Sequence, residues 1–323
     1  YEAFTGSLNG QNYEVSGLLI NRPTEDKVGL FGAIDEGSEV YNIHLKNVSV
    51  TGNGEVGSLS GFINSYSPST EVNIYNAISS GTVSGDSNIG LLCGLIFVNY
   101  GKCNIYDCES SGYVSGAALN TGGFTGRITS FTNSAEIYID NCKSSATVTG
   151  LNVSGGFAGH INCFKNKILI SNCESSGIVE GSFWVGGFCG QNKSWIEALG
   201  TKISKCKSVS DVSGNKWVGG FCGWNYSYEE SYAVIENSWS GGSVSGSECV
   251  GGFSGAIRTT NTGSESIIEN CYSRAPSVSA SSGTVGGFCG YLEDGAGTEE
   301  INNCFWDEEI AGNDNGLGNG ETT

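Results

Sequence analysis

The sequence contains no methionine, only three prolines and a small charged fraction, 15% of 323 residues. It also lacks any long stretch in which apolar residues recur with helical spacing among good helix formers. Glycine is abundant instead, with 51 residues, and short runs of Val, Ile and Phe are separated by Gly, Asn, Ser and Thr. This composition predicts an all-β chain and favours one elongated domain over two globular ones.

Cations and long apolar segments are also scarce. The 15 Lys and Arg residues are spread thinly against 33 Asp and Glu residues, giving a net charge of −18, so we expect no nucleic-acid partner. The longest apolar run, GLLCGLIFV at 90–98, is too short to span a bilayer, which predicts no membrane insertion. No signal peptide is recognisable and the first residue is Tyr1, so we expect a mature or excised product.

Catalytic motifs are missing as well. His44 and His160 fall at different points of the repeat described below, and there is no HExxH, GxSxG, P-loop or GxGxxG before a helix. We therefore predict that the chain is not an enzyme and carries no cofactor. The stretch WDEEIAGNDNGLGNGE at 306–321 has oxygen ligands and glycines but lacks the spacing of a calcium loop, so an acidic tail is favoured over a calcium site.

What the sequence does contain is a repeat. The segment VGGFCG occurs at 185–190, 218–223 and 285–290, with near-copies elsewhere. Successive anchor residues are separated by 33, 32, 33, 31, 33, 32 and 35 positions, and they are Leu59, Leu92, Phe124, Phe157, Phe188, Phe221, Phe253 and Phe288. An Ile-x-x-Cys element follows most anchors, and a Val-x-Gly element follows that. A period near 32 residues indicates stacked units that bury one another's apolar faces.

Each unit therefore holds three short strands, and the predicted fold is a β-solenoid, specifically a right-handed parallel β-helix. About nine coils at roughly 4.8 Å each give a core of about 45 Å. We expect one solenoid domain over 1–305, with irregular first coils in 1–50, and an acidic, glycine-rich tail over 306–323.

The anchor position holds only Leu or Phe, so it is predicted to point into the core. The next position is always small, as in Ser60, Thr125, Ala158 and Cys222, and is predicted to face outward or into a crowded corner. The paired glycines before the anchor indicate close backbone approach or a bend.

Thirteen cysteines indicate an oxidising, extracellular setting. Stacking would bring neighbouring Cys positions within disulfide range, although buried free thiols would serve equally as small apolar residues. The candidates for such disulfides or thiol ladders are Cys108, Cys142, Cys173, Cys206, Cys271, Cys304, Cys189 and Cys222. The number thirteen is odd, and the candidates for free or intermolecular cysteines are Cys93, Cys103, Cys163, Cys249 and Cys289.

Aromatic residues concentrate in one third of the chain. Trp184 and Trp217 each precede an anchor by four positions, so they are predicted to stack on adjacent coils. With Trp224 and Tyr226 they form a candidate sugar-stacking face or protein contact, and self-packing under a loop is the alternative. Candidate N-glycosylation sites in Asn-x-Ser/Thr triplets are Asn47, Asn152, Asn192 and Asn225.

The repeated V-G-G-F-x-G, I-x-N-C/S and S-x-V-x-G elements resemble the GLUG motif. The lead-in FTGSLNGQNYEVSGLLINR and the ending INNCFWDEEIAGNDNGLGNGETT are similar to the usual start and end of such arrays. The resemblance implies a non-catalytic repeat of large bacterial or archaeal surface proteins, including adhesin-like ones, and implies no catalytic residues.

The leading hypothesis is a non-enzymatic structural or adhesive protein at the cell surface. We expect it to self-associate end to end or side by side into a fibre, sheath or surface layer, reinforced by cysteines. One alternative is a monomeric adhesin that recognises a glycan or host protein through the Trp/Tyr face. The other is a β-helix polysaccharide lyase or glycosidase, which would need a cluster of acids that the regular repeats do not display.

Overall fold

The computed structural model describes residues 2–312 and 315–318. Their strands pair in parallel and stack into a β-solenoid with a period of about 33 residues, as in the register pairs Cys189 with Cys222 and Thr125 with Ala158. The prediction of an all-β parallel solenoid is confirmed.

Two sheets run along the rod. Sheet A consists of Phe31–Ile34, Ser60–Ser65, Cys93–Val98, Thr125–Ser130, Ala158–Cys163, Cys189–Ser194, Cys222–Ser227, Ser254–Thr259 and Cys289–Leu292. Sheet B wraps around the rest of each coil and consists of Ser7–Asn9, Glu14–Ser16, Leu19–Asn21, Glu39–Thr51, Gly54–Val56, Glu71–Gly90, Gly101–Tyr106, Glu109–Gly122, Ala135–Asp140, Lys143–Gly155, Lys167–Ser171, Glu174–Ser175, Ile178–Glu180, Phe183–Gly186, Gly200–Ser204, Lys207–Ser208, Asp211–Ser213, Lys216–Gly219, Tyr232–Glu236, Trp239–Ser240, Val244–Gly246, Glu248–Gly251, Glu265–Glu269, Tyr272–Ser273, Val278–Ala280, Val285–Gly286, Thr298–Asn302 and Phe305–Trp306. The nine strands of sheet A, one from each coil, confirm the predicted number of coils.

The anchor residues form the centre of the core. All eight are at most 2% exposed, which confirms their predicted inward position. From Phe124 to Phe288 the rings stack on adjacent coils, with centroids 4.7 to 4.9 Å apart and planes within 7° of parallel. This separation matches the spacing of hydrogen-bonded strands, so one register fixes both the backbone ladder and the aromatic stack.

The small position after each anchor is also fully buried, so of the two expected placements, outward or in a crowded corner, the outward one is wrong. The reason is local: the second glycine and the anchor lie in a bend between two strands, and side-chain alternation does not continue through a bend. A Cβ on Gly186 would lie 2.0 Å from the carbonyl oxygen of Cys189, and one on Gly187 would lie 2.1 Å from that of Gly220. The glycine pair is therefore required by close backbone approach, as predicted.

A second corner of each coil depends on asparagine. The residue before the cysteine place of the Ile-x-x-Cys element has a left-handed backbone, also in the coils where Ile43, Ala77 or Ser238 fills that place. The φ value lies between 50° and 56° in nine coils, at Asn42, Asn76, Asp107, Asn141, Asn172, Lys205, Asn237, Asn270 and Asn303. Asparagine tolerates this conformation better than other residues with a side chain. The amides also link coils, since Asn76 Nδ2 donates to Asn42 Oδ1 at 2.7 Å and Asn141 Nδ2 donates to Asp107 Oδ1 at 2.6 Å.

The two ends of the rod differ. At the C-terminal end the helix Glu308–Ala311 is followed by a segment that extends sheet A, because Gly287 N–H donates to Asn315 O at 2.7 Å and Phe288 N–H donates to Gly316 O at 3.0 Å. The described part of the predicted tail thus covers the last sheet A strand, while 313–314 and 319–323 lie outside the described residues. At the N-terminal end the short strands Ser7–Asn9, Glu14–Ser16 and Leu19–Asn21 pair only with Glu39–Thr51 among described residues.

Candidate binding face

The four aromatic residues proposed from the sequence do come together. The indoles of Trp184 and Trp217 stack with centroids 5.2 Å apart and planes 5° from parallel, which confirms their predicted stacking. Trp224 lies 5.9 Å from both rings, and Tyr226 lies 4.7 Å from Trp224. The rings pack mainly on one another, and Tyr226 is only 7% exposed, so the cluster offers ring edges to solvent more than open ring faces.

The backbone beneath this cluster is strained. Trp184 and Trp217 have φ values of 52° and 55°, and Val153 and Cys249 occupy the equivalent left-handed position in adjacent coils with 53° and 55°. Bulky and β-branched residues rarely adopt this conformation. Glu55, Asn88 and Asn120 share it in other coils, so this position is a recurring corner of the solenoid and not a feature of the tryptophan cluster alone.

A second aromatic series, the aromatic spine, was missed by the sequence analysis. It comprises Phe131, Phe164, Trp195 and Tyr228, which follow their anchors by seven positions. Consecutive centroids are 5.3, 5.7 and 5.3 Å apart, so the spine runs parallel to the rod axis over four coils. Phe131 is 46% exposed, and an open groove of about 540 Å³ lies beside it, with Phe164, Lys165 and Ile196 among its lining residues. Counting from the anchors would have revealed this series.

Cationic side chains lie on the outer face of sheet A, which comprises the positions three and five residues after each anchor. Arg127 and His160 are register partners on adjacent coils. Lys193 and Arg258 are the register partners of Tyr226 on the coils before and after it. The Lys193 ammonium lies 3.9 Å from the centroid of the Trp195 ring and 4.8 Å from that of Tyr226. We call the four side chains Arg127, His160, Lys193 and Arg258 the cationic row. Counting positions from the anchor residues would have revealed this row from the sequence as well.

Burial shifts the titration of this row. Burial, together with Arg127 and Arg258 nearby, lowers the pKa of Lys193 to about 8. Burial, together with Arg127 and Lys193, lowers the pKa of His160 well below its usual value, so the imidazole is neutral at pH 7. Burial also lowers the pKa of Arg127. Every one of these shifts disfavours the charged form, which indicates cations that are partly desolvated and close to one another.

All thirteen cysteines are free thiols. The Ile-x-x-Cys cysteines therefore form a ladder of free thiols and not a series of disulfides. Cys142 N–H lies 3.4 Å from the Cys173 sulfur, and Cys173 N–H lies 3.4 Å from the Cys206 sulfur. Each thiol also donates to the carbonyl two residues earlier, as from Cys173 Sγ to Ser171 O at 3.1 Å. The thiols thus act as small core residues with weak hydrogen bonds. The predicted pair Cys189 and Cys222 is in register, buried and unbonded.

The candidates for intermolecular bonding are mostly inaccessible. Cys93, Cys103, Cys163 and Cys289 are free and buried, so of the two expected states, free or bonded to another chain, the structure has the free one. Cys249 alone among these five is partly exposed.

Two of the four candidate glycosylation sites are excluded by burial. Asn192 and Asn225 occupy a core position that is Ile128, Ile161 and Ile257 in other coils, and both are fully buried. A glycan cannot be attached there in the folded chain. Asn47 is exposed and Asn152 is half-buried, so these two remain candidates.

Among residues 2–312 and 315–318, no group of three or more His, Cys, Asp or Glu side chains is arranged to hold a metal ion. The stretch 306–321, for which the sequence favours an acidic tail over a calcium loop, lies partly outside these residues. None of the helices in the described ranges is long and apolar enough to cross a membrane.

Comparison with known proteins gives partial matches. The chain is 40% identical over 98 residues to halomucin of Haloquadratum walsbyi, a match that covers 30% of this chain and 1% of halomucin. It is 39% identical over 61 residues to a putative Gly-rich membrane protein of Evansella cellulosilytica, covering 18% of this chain and 7% of that protein. The chain therefore spans a small fraction of the length of these relatives. No protein-family model and no solved structure matches it.

Proposed function

We propose that the chain is a non-enzymatic structural module of a longer protein exposed at the cell surface. The observation that carries this proposal is the uninterrupted parallel ladder of nine coils, in which the anchor, asparagine and cysteine positions keep their register along the rod. A solenoid of this kind acts as a spacer, because each coil contacts only its neighbours and length adds by repetition.

The partial matches support this proposal. Both relatives are far longer than the matched segments, as expected when a repeat module occupies a small part of a large protein. One relative is described as a membrane protein, in agreement with a surface location. The GLUG-like elements favour the same assignment to large bacterial or archaeal surface proteins.

Self-association through the N-terminal end forms part of the proposal. Among the described residues no strand covers the outer edge of the first coil, and Tyr13, Val15 and Leu19 are exposed there by 74%, 41% and 73%. Open strand edges with exposed apolar residues favour pairing with another chain. At the opposite end the sheet A edge is covered. The last sheet B strands, Thr298–Asn302 and Phe305–Trp306, each pair on one side only among the described residues and supply complementary edges.

Substitution of Leu19 tests the association. A Leu19→Lys variant places a charge on the open edge, so we expect concentration-dependent oligomers of the unmodified chain to dissociate to monomers in sedimentation velocity. Leu199→Lys is the matched control, because Leu199 is 71% exposed at mid-rod and its replacement should leave the oligomers intact. A chain that stays monomeric at high concentration, or an equal effect of both substitutions, would overturn end-on association. Electron microscopy of rods tests the spacer role separately.

A further inference from the structure

The cationic row is unusual because, apart from Arg258, its members have no acidic partner among the described residues. Neither Arg127 nor Lys193 forms an ion pair with any described carboxylate. The Nε atom of Arg127 and the Nε2 atom of His160 are buried and make no hydrogen bond within the part of the chain that is described. Burying unpaired cations and polar groups costs free energy unless a partner is supplied.

The rest of the rod shows that this chain can supply such partners. On sheet B, lysines pair with glutamates of an adjacent coil, as in Lys207 with Glu174 at 2.9 Å and Lys216 with Glu248 at 2.9 Å. On the outer face of sheet A the one such pair is Arg258 with Glu293, at 3.2 Å, within the described ranges. The unpaired part of the row, Arg127 to Lys193, is therefore an exception in a strongly acidic protein. An unpaired, desolvated cation group of this kind is a candidate anion-binding site.

The surroundings of the row restrict the chemistry of the ligand. Lys193 lies against Trp195 of the aromatic spine, and two other rings of the spine, Phe131 and Phe164, line the open groove. Rings with apolar bodies pack against the apolar faces of sugars, while cations hold carboxylate or sulfate groups. The spine has one ring on each of four successive coils, and Arg127, Lys193 and Arg258 follow one another two coils apart, which suits a linear polymer lying along the rod. A small local cluster on a chain of net charge −18 does not suit nucleic acid.

We propose that the outer face of sheet A binds an acidic polysaccharide lying along the rod. Arg127 and Lys193 hold its anionic groups, and Phe131, Phe164 and Trp195 pack against its sugar rings. Arg258, already paired with Glu293, marks the far end of the row. This site goes beyond the structural role proposed above, because a rod that does not self-associate would retain it.

Isothermal titration calorimetry with four defined probes tests the site. The probes are oligogalacturonate, a sulfated glucan oligosaccharide, a neutral maltooligosaccharide and poly-L-glutamate of matched charge. We expect one of the two acidic saccharides to bind at least about tenfold more tightly than the neutral saccharide and poly-L-glutamate, and the tighter of the two identifies carboxylate or sulfate as the natural group. Equal binding of the neutral saccharide, equal or tighter binding of poly-L-glutamate, or no binding at all would overturn the proposal.

Substitutions then locate the site. Arg127→Gln with Lys193→Gln should weaken binding of the acidic saccharide by at least about tenfold, since two charge-assisted contacts are lost. Lys202→Gln with Lys207→Gln removes the same charge from sheet B and should leave binding unchanged.

Lys193→Arg keeps the charge and should retain most of the affinity, whereas Phe131→Ala should weaken it. Unchanged binding in the first variant, or equal loss in the sheet B control, would contradict the assignment. Unaltered sedimentation of the first variant would show that the site is separate from self-association.

Discussion

The side-chain amide of Asn192 donates a 2.7 Å hydrogen bond to Oδ1 of Asn225 inside the core, across two adjacent coils. The Asn225 amide in turn donates to Ala233 O and to Ser266 Oγ, each at 2.9 Å. Isoleucine occupies the same position in six other coils, so this polar pair replaces apolar packing locally. A buried hydrogen-bond network fixes the register of neighbouring coils but is costly when one member is removed.

Replacement of Asn225 alone should therefore be more harmful than replacement of both residues. Asn225→Ile leaves the Asn192 amide without its acceptor, at an expected cost of about 2 kcal/mol in free energy of unfolding, while the Ser266 hydroxyl keeps its bond to the backbone carbonyl of residue 225. The double replacement by Ile removes both polar groups and should recover part of that loss. A double-mutant cycle by urea unfolding measures the coupling, and strictly additive effects would contradict it.

The left-handed asparagine corners give a second prediction. Lys205 occupies this position with φ 54° where other coils have Asn or Asp. Lys205→Asn should raise the free energy of unfolding by about 0.5 to 1 kcal/mol, because asparagine adopts the left-handed region at lower cost. Lys202→Asn is the control three residues earlier, on the strand Gly200–Ser204. Lys202 lacks the left-handed conformation and its replacement loses the ion pair with Glu236, so it should give no gain. No increase for Lys205→Asn would contradict the explanation of the Asn series.

The repeat predicted the fold well because each coil is stacked on the last by the same shift along the rod axis, so equivalent residues of successive repeats lie next to one another. One anchor residue per coil, at a fixed spacing, defines both the number of coils and the residues that stack, as for Phe188 on Phe221. For the small position the outward alternative failed, because it assumed that strand alternation continues through the Gly-Phe bend, whereas the crowded-corner alternative agrees with its burial. Asn192 and Asn225 were misassigned to the surface because a glycosylation triplet carries no information on side-chain direction. Arg127, Lys193 and Phe131 are found only when positions are counted from the anchor.

The free thiols give a third prediction, on chemical reactivity. Native alkylation should modify Cys304 and Cys249 first, because these are the two cysteines that are not fully buried. Cys304 should react faster, since hydrogen bonding from Cys271 lowers its pKa, whereas burial raises the pKa of Cys249. Peptide mapping of timed labelling reactions measures the order, and denaturation should expose all thirteen thiols. Disulfide-linked peptides in the native protein would contradict the free-thiol ladder.

The buried thiols also predict loss of stability at alkaline pH. Burial raises the pKa of Cys93, Cys108, Cys142, Cys173 and Cys189 well above 9.0. Above pH 9 the unfolded chain loses these protons while the folded chain keeps them, so the unfolded state binds fewer protons and the free energy of unfolding falls as pH rises. Each such thiol contributes a loss of about 1.4 kcal/mol per pH unit in that range.

Urea unfolding in reductant between pH 7 and pH 10.5 measures this loss, which thiol replacement should reduce. Lys193 acts in the opposite direction, because its pKa of about 8 in the folded chain favours folding as pH rises above that value, but it is one group against several thiols. Cys93→Ser with Cys189→Ser should make the alkaline decline shallower, and these replacements fit because Ser60 and Ser254 fill the same position in other coils. An unchanged slope in this variant, measured against the unsubstituted chain, would show that alkaline unfolding has another origin.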